Sequence, residues 1–469
     1  MENTEMLSNK GATLKCFEGY IHRRKRFYHD RIYWTCVEPN CKGKLTTIDG
    51  EVVSGPKDHH HEPSISEYLS RQQRNLAKKD ARENPSRKGR EIYDRVNSEI
   101  INGFPFDEDL IGVSLKPFSG LKPTINRVKR LQYPPLPTTI ADLSIPTCLK
   151  RTKKDELFLL RDNLEPCNRI LIFGTPSFIR IMCGEERVFA DGTFKCVPHL
   201  FNSLYTLHVM RDGLMITILY CLLTNRTSRT YINMLRMIQD ICVDHASIFN
   251  PQSFTIDFEA AMITAINTVF PVARIMGCLF HFTQCLRRKV QEIGLSRQYA
   301  ANSGKNEIQK TVRRVAALAF VKIEDLDESF TEIVQQMPEN DQLDEFMSYF
   351  YDNFFKRNSR FKREIWNHFY NDGPRTNNHV EGWHNSFNQR INRYHVNIWI
   401  FLEKMIEQQE IFENNLLIAR QGTQINPRNR KDAARDKRIQ LQKLKYEQGR
   451  LTKLEFIDSI RYNFSLNIV

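Results

Sequence analysis

The chain has 469 residues, 41% hydrophobic and 26% charged, enough for two or three domains with at least one large core. Lysine and arginine number 68 against 55 aspartate and glutamate, a net charge of +13 that favours polyanionic partners, nucleic acid first. The most apolar run, LMITILYCLL at 214–223, is about half of a ~20-residue membrane span, and MENTEMLSNKG lacks the apolar core of a secretory leader, so neither a membrane segment nor a leader is expected.

Eleven cysteines in such a chain are expected as thiols or metal ligands rather than a disulfide framework. An intracellular protein follows, and a nucleic-acid partner directs the expectation to the nucleus.

Residues 14–63 are rich in aromatics, Cys and His, with alternating runs such as Arg31-Ile32-Tyr33-Trp34-Thr35-Cys36. Cys36 and Cys41 flank VEPN, whose Pro39-Asn40 favours a turn, and histidines follow at 59, 60 and 61. One Zn²⁺ needs four N or S ligands in a tetrahedron. On extended backbone His59 and His61 share a side and His60 faces away, so Cys36, Cys41, His59 and His61 form the candidate set. A polar loop with two reduced thiols is the alternative, but so small a domain needs a staple. Tyr33, Trp34, Cys36, Cys41, His59 and His61, within Gly19 to Pro63, resemble a FLYWCH zinc finger. That resemblance implies a small β-rich zinc fold that contacts DNA or protein. Arg23, Arg24, Lys25 and Arg26 would suit phosphate contacts, or equally form a solvated basic turn.

Residues 64–155 read as helices and a Pro-rich linker (YPPLPTT, 133–139). Segment 64–90 carries eight Lys or Arg against three acids. FSGLKPTINRVKRLQY at 118–133 is a candidate helical DNA reader.

Residues 156–295 form the expected core. Strand-like runs occupy 187–191, 203–210, 214–223, 253–257 and 273–280, and helical patterns occupy 228–245, 259–269 and 282–294. Three strands followed by αβαβα predict an antiparallel meander joined to parallel strands through crossover helices, the order of a ribonuclease-H-like fold. The predicted class is thus α/β: a ribonuclease-H-like mixed sheet with a helical insertion at 296–370. A small β-rich zinc finger and a helical linker region precede it. The core is expected to resume over 371–420, and residues 300–420 read as helical throughout. The tail at 421–469 is basic and helical; its segment 427–450 has nine Lys or Arg against three acids, a solvated helix or a DNA contact.

Two strand-like runs end in acids: RVFADGTF places Asp191 after Val188-Phe189-Ala190, and SFTIDFE ends in Asp257. Burying a carboxylate is costly unless it is paired. In the predicted order the first strand is central and the fourth lies beside it, which makes the two aspartates neighbours. Neighbouring carboxylates repel, and a divalent cation between them reverses the cost. Mg²⁺ keeps several waters, so two or three carboxylates suffice. Glu381, in RTNNHVEGWHNSF, either completes a capping box begun by Asn378 or faces the sheet as a third ligand.

ADGTF (190–194), LYTLH (204–208), IDFEAA (256–261), GCLFHF (277–282) and TNNHVEGWH (376–384) together resemble the Mutator-like (MULE) transposase domain. The resemblance implies a DDE triad carried by Asp191, Asp257 and Glu381, with a helical insertion before the glutamate. Cys278 and His281 match the family's Cys-x-x-His signature: a core thiol and a satisfied histidine, or, for His281, a neighbour that positions substrate or triad. Glu259 is either an exposed acid at a helix start or a partner behind the metal ligands. The implied chemistry is cleavage and strand transfer on double-stranded DNA, element ends and target, with two Mg²⁺ or Mn²⁺ ions about 3.5–4 Å apart. Transposases commonly act as multimers, although no homo-oligomer interface is readable. A transposase-derived DNA-binding factor without catalysis, and a metal nuclease that does not join ends, are the rival readings.

Overall fold

The computed structural model describes residues 4–8, 11–57, 59–103, 108–194, 196–301, 306–371, 373–391, 396–423, 425 and 430–463. The start of the basic tail, 427–429, and the Asn378 side chain lie outside the described residues. The chain is mixed α/β and divides into two compact units, Met1–Pro135 and Leu136–Val469.

The first unit opens with a six-stranded antiparallel sheet whose spatial order equals its chain order. Its strands are β1 (Thr4–Leu7), β2 (Thr13–Phe17), β3 (Tyr20–Tyr28), β4 (Arg31–Cys36), β5 (Lys44–Ile48) and β6 (Glu51–Lys57). Alternation along β4 turns Trp34 and Cys36 inward, and the Trp34 indole N–H donates to Thr47 Oγ1 at 2.9 Å. Four helices follow: α1 (Ile65–Glu83), α2 (Gly89–Gly103), α3 (Glu108–Ser114) and α4 (Phe118–Arg130). Leu14, Cys16 and Ile21 of the sheet share a single core with Tyr68, Leu69, Val96, Leu121 and Ile125 of the helices. A sheet this small cannot bury enough apolar surface alone, and the helices supply the other half of its core.

The second unit holds a seven-stranded mixed sheet of order β13-β12-β9-β10-β11-β8-β7. Its strands are β7 (Leu159–Asp162), β8 (Ile170–Phe173), β9 (Arg187–Thr193), β10 (Ser203–Arg211), β11 (Leu214–Leu223), β12 (Ser253–Ile256) and β13 (Arg274–Gly277). β9, β10 and β11 form an antiparallel meander, and β12 and β13 run parallel to β9. Asp212 and Gly213, at φ 51° and 75°, turn β10 into β11 with the two positive-φ residues that a tight hairpin requires. β7 and β8 extend the sheet beyond the five predicted strands.

Helices α5 (Pro176–Cys183), α6 (Ser228–Asp244), α7 (Ala260–Val269) and α8 (Leu279–Glu292) accompany the sheet. A second core gathers Phe282 and Leu286 of α8 with helices α9 (Ser296–Ala300), α10 (Glu307–Ala317), α11 (Leu326–Gln335) and α12 (Asp341–Phe350). The expectation of helix throughout 300–420 needs correction. Among the described residues after a π-turn at Tyr351–Phe355, only the four-residue α13 (Arg363–Trp366) is helical before α14 (Asn378–Ile391) and α15 (Ile398–Arg420).

The basic tail carries α16 (Arg430–Glu447) and α17 (Lys453–Ile460), and it is not simply solvated. Ile439, Tyr446, Phe456 and Ile457 enter the second core, and Arg375 pairs with Asp436 at 3.0 Å. Among the described residues no helix is long and apolar enough to cross a membrane.

Candidate catalytic and zinc sites

In the first unit the donor atoms of Cys36, Cys41, His59 and His61 all lie within 4.8 Å of one another. Sγ of Cys36 is 3.3 Å from His61 Nε2, Sγ of Cys41 is 3.3 Å from His59 Nδ1, and those two ring nitrogens are 3.4 Å apart. Tetrahedral zinc with ordinary bond lengths needs N···N and S···N edges of roughly 3.4 and 3.6 Å, so the four residues fit the ion. Backbone N–H groups of Glu38 and Gly43 donate to the two sulfurs, which favours thiolates. Gly43 leaves room for His59, whose ring would lie 2.3 Å from any Cβ there. His60 is exposed and outside the cluster. His22 lies behind it, with Nε2 3.2 Å from His59 Nε2.

In the second unit, β9 pairs with β12 in parallel through Thr255↔Phe189. Two residues beyond that pair lie Asp191, still on β9, and Asp257, one residue past the end of β12. Asp191 is buried; Oδ1 accepts from the Gly192 N–H at 2.8 Å and Oδ2 lies 3.3 Å from His384 Nδ1. His384 Nε2 in turn meets Thr206 Oγ1 at 3.0 Å.

Glu381 stands on α14, where the charge of Asp191 acts on it. That helix begins at Asn378, so position 377 caps it and Glu381 falls one residue beyond the place a capping box requires. Asn377 instead ties the helix to the sheet: its Nδ2 donates to the Ala190 carbonyl at 3.3 Å, and its N–H donates to Cys278 Sγ at 3.1 Å. Cys278 is fully buried at the end of β13, and burial pushes its thiol up to about 12, so it serves as an acceptor for this anchor. His281, on α8, brings Nε2 to 3.3 Å from Glu381 Oε1. Among the described residues of this region, the donor atoms that close within 4.8 Å of one another belong to Cys278, His281 and Glu381. The two aspartates stand outside that cluster.

Among the described residues, the buried atoms here without a hydrogen-bond partner include Asp257 Oδ1, His281 Nδ1, Asn377 Oδ1 and Glu381 Oε1, the last facing His281 Nε2 at 3.3 Å without forming a hydrogen bond. Burial, then the charge of Asp191, raises both Asp257 and Glu381 to about 7. Burial lowers His281, which favours the neutral ring. Carboxylate oxygens are the hard donors that Mg²⁺ or Mn²⁺ prefers, but among the described residues those of Asp191, Asp257 and Glu381 do not gather within 4.8 Å of one another. Glu259 is not an exposed acid: it accepts from Arg226 at 2.9 Å and from the Tyr231 hydroxyl at 3.0 Å, and its charge adds to the rise at Asp257. A cleft of ≈ 530 Å³ opens beside Asp257, lined also by His281, Arg226, Arg288 and Arg360.

Arg23, Arg24, Lys25 and Arg26 lie exposed within β3, not in a turn, and Arg26 covers the Tyr33 ring at 4.6 Å. The basic segment 64–90 and the candidate DNA reader at 118–133 contribute to a second basic face in this unit. Arg74, Lys78 and Arg82 recur at four-residue spacing on α1, and Lys78, Arg82 and Arg127 of α4 line a recess of ≈ 410 Å³. Burial and three neighbouring arginines lower the Lys78 ammonium, the mark of cations crowded without an acid. From the sequence His384 went unassigned, although its place three residues after Glu381 puts it on the same helical face.

Residues 6–61 match the family model of the FLYWCH zinc finger domain, and residues 187–285 match that of the MULE transposase domain. The second match ends before Glu381, whose assignment rests on its motif and on the geometry above. No curated protein matches the chain. The chain carries a FLYWCH zinc finger followed by a MULE transposase domain.

Proposed function

We propose that this protein is a Mutator-like DNA transposase. Its first unit binds element ends, and its second cuts and joins DNA strands in the nucleus. The observation that carries the reading is that acids from three distant segments feel one another: the charge of Asp191 raises both Asp257 and Glu381, and Asp257 Oδ1 is buried without a partner. The sheet order supports the ribonuclease-H-like assignment: the meander β9-β10-β11 with β12 and β13 added parallel on the far side of β9 matches the predicted strand order.

Asp191, Asp257 and Glu381 would hold the catalytic cations. Two bound Mg²⁺ or Mn²⁺ ions supply activation of water, and then of a DNA 3′-hydroxyl, and stabilise the leaving oxygen in an in-line displacement. His384 fixes Asp191 Oδ2, and neutral His281 orients Glu381. Asn377 and Cys278 hold the head of α14 against the sheet. No cysteine is needed as a nucleophile. The zinc cluster and the basic faces of the first unit supply a sequence-independent grip on phosphates.

Purified protein with Mg²⁺ or Mn²⁺ is expected to nick DNA that carries the inverted repeats flanking its own gene. Loss of an outer-shell partner of a metal already costs roughly 10–100-fold, so Asp191→Asn should lower the rate by more than about a hundredfold while DNA affinity holds. Equal cleavage by the variant would remove the triad from the mechanism. Tight binding by wild type with no cleavage of the correct ends would instead establish a transposase-derived binding factor, and nicking without joined products a nuclease.

A further inference from the structure

The cleft beside Asp257 carries a charge pattern that the acidic triad does not explain. His281, Gln284, Cys285 and Arg288 of α8 all line it, at the i, i+3, i+4, i+7 spacing of one helix face. From His281 at the acidic end to Arg288 the helix rises about 10 Å, close to three base steps of one strand in B-form DNA. Arg360, from the helical insertion, also lines the cleft. Its neighbour Phe361 is buried edge-on against Phe258 at 5.1 Å, and Phe258 follows Asp257 directly. That contact fixes the insertion's arginine beside the acidic site.

The three arginines of the cleft differ. Arg226 is neutralised by Glu259 and covers the Phe194 ring at 4.1 Å. Arg288 and Arg360 are exposed and meet no carboxylate at ion-pair distance among the described residues. Their basic neighbours do: Lys289 pairs with Glu345 and Glu292, and Lys356 pairs with Asp352. Two uncompensated guanidinium groups in an open cleft suit an extended polyanion that crosses the surface, rather than a small enclosed ligand.

We infer that Arg288 of α8 and Arg360 of the helical insertion form a clamp for successive phosphates of the DNA strand whose scissile bond enters at Asp257. The inference rests on the catalytic reading above and gives the insertion a direct part in holding substrate.

The test uses full-length protein in an Asp191→Asn background, a duplex of random sequence and a potassium chloride titration. Each phosphate contact contributes about 0.9 to the slope of log affinity against log salt. Arg288→Gln with Arg360→Gln should therefore lower the slope by about two, and Arg360→Gln alone by about one. Arg357→Gln, exposed but outside the cleft, should leave it unchanged. An unchanged slope in the double variant, or an equal fall with Arg357→Gln, overturns the clamp. So does a fall confined to single-stranded RNA of the same length. Cleavage by wild-type protein, measured in parallel, separates the two ideas. Active wild type with an unchanged slope defeats the clamp alone, whereas inactive wild type with the expected fall defeats the catalytic reading and leaves the two arginines as phosphate contacts with no scissile bond to hold.

Discussion

At Asp257 the carboxyl group sits near 7, well above the ordinary aspartate value, because burial and the charge of Asp191 both disfavour its ionised form. Glu381 is raised to the same level by the same two causes. A carboxyl raised on folding gives stability that is fully present below its unfolded value, near 4, and is lost as the pH climbs through 7. Without added divalent ion the second unit is therefore expected to melt at lower temperature at pH 8 than at pH 5. Asp257→Asn keeps the shape and removes the charge, so it should flatten this dependence and stabilise the protein at pH 8 by on the order of 2 kcal/mol. Mg²⁺ should protect wild type at pH 8 and not at pH 5, where the ligands hold their protons. Cleavage, which needs both groups ionised, should rise across pH 6 to 8. Melting curves that respond to pH identically in wild type and Asp257→Asn would show that this carboxyl carries no such strain.

At the scale of the element, α14 shows what a sequence discloses and what it withholds. Strands β9, β10 and β11 are legible because apolar runs stop at polar or turn residues, and β11 is predicted at its observed bounds, Leu214–Leu223. The adjacency of Asp191 and Asp257 follows from strand order alone. Strands β7 and β8 are not legible as strands: like β12 and β13 they have four residues each, too few for periodicity, but unlike those two they do not stand between predicted helices. The breaks in the helical insertion escape for another reason, since helical spacing persists across the π-turn at Tyr351–Phe355. Glu381 is legible as a candidate but not as a neighbour of the aspartates. Its position depends on contacts from Asn377 to Cys278 and Ala190, separated by 99 and 187 residues. Asn377→Ala should let the head of α14 drift. We expect turnover to fall about tenfold or more, since a misplacement near 1 Å can cost 10²-fold, with DNA affinity unchanged. A proportional loss of binding and turnover would mean that the substitution merely unfolds the helix.

For the molecule as a whole, the two units solve the same problem of stability by different means. Among the described residues, the second unit buries one apolar cluster around the sheet, from Ile170 to Leu416, and another across the helical insertion, from Phe282 to Ile460. The first has a single modest core, and its sheet ends in the loop where Cys36, Cys41, His59 and His61 converge. Zinc-binding free energy in so small a fold is largely folding free energy. Thermal unfolding of the full chain should accordingly resolve two transitions, of which a strong chelator moves one. That transition should fall by more than about 10 °C, because one kcal/mol is worth several degrees in a domain of this size. His59→Ala and Cys36→Ser should reproduce the shift without chelator, whereas His60→Ala, whose ring is exposed outside the cluster, should leave both transitions in place. A fragment of residues 136–469 should keep the chelator-insensitive transition and bind no zinc stoichiometrically. If the chelator lowered the transition of that fragment as well, a soft-metal site at Cys278, His281 and Glu381 would have to replace the hard-cation site argued for the acidic centre.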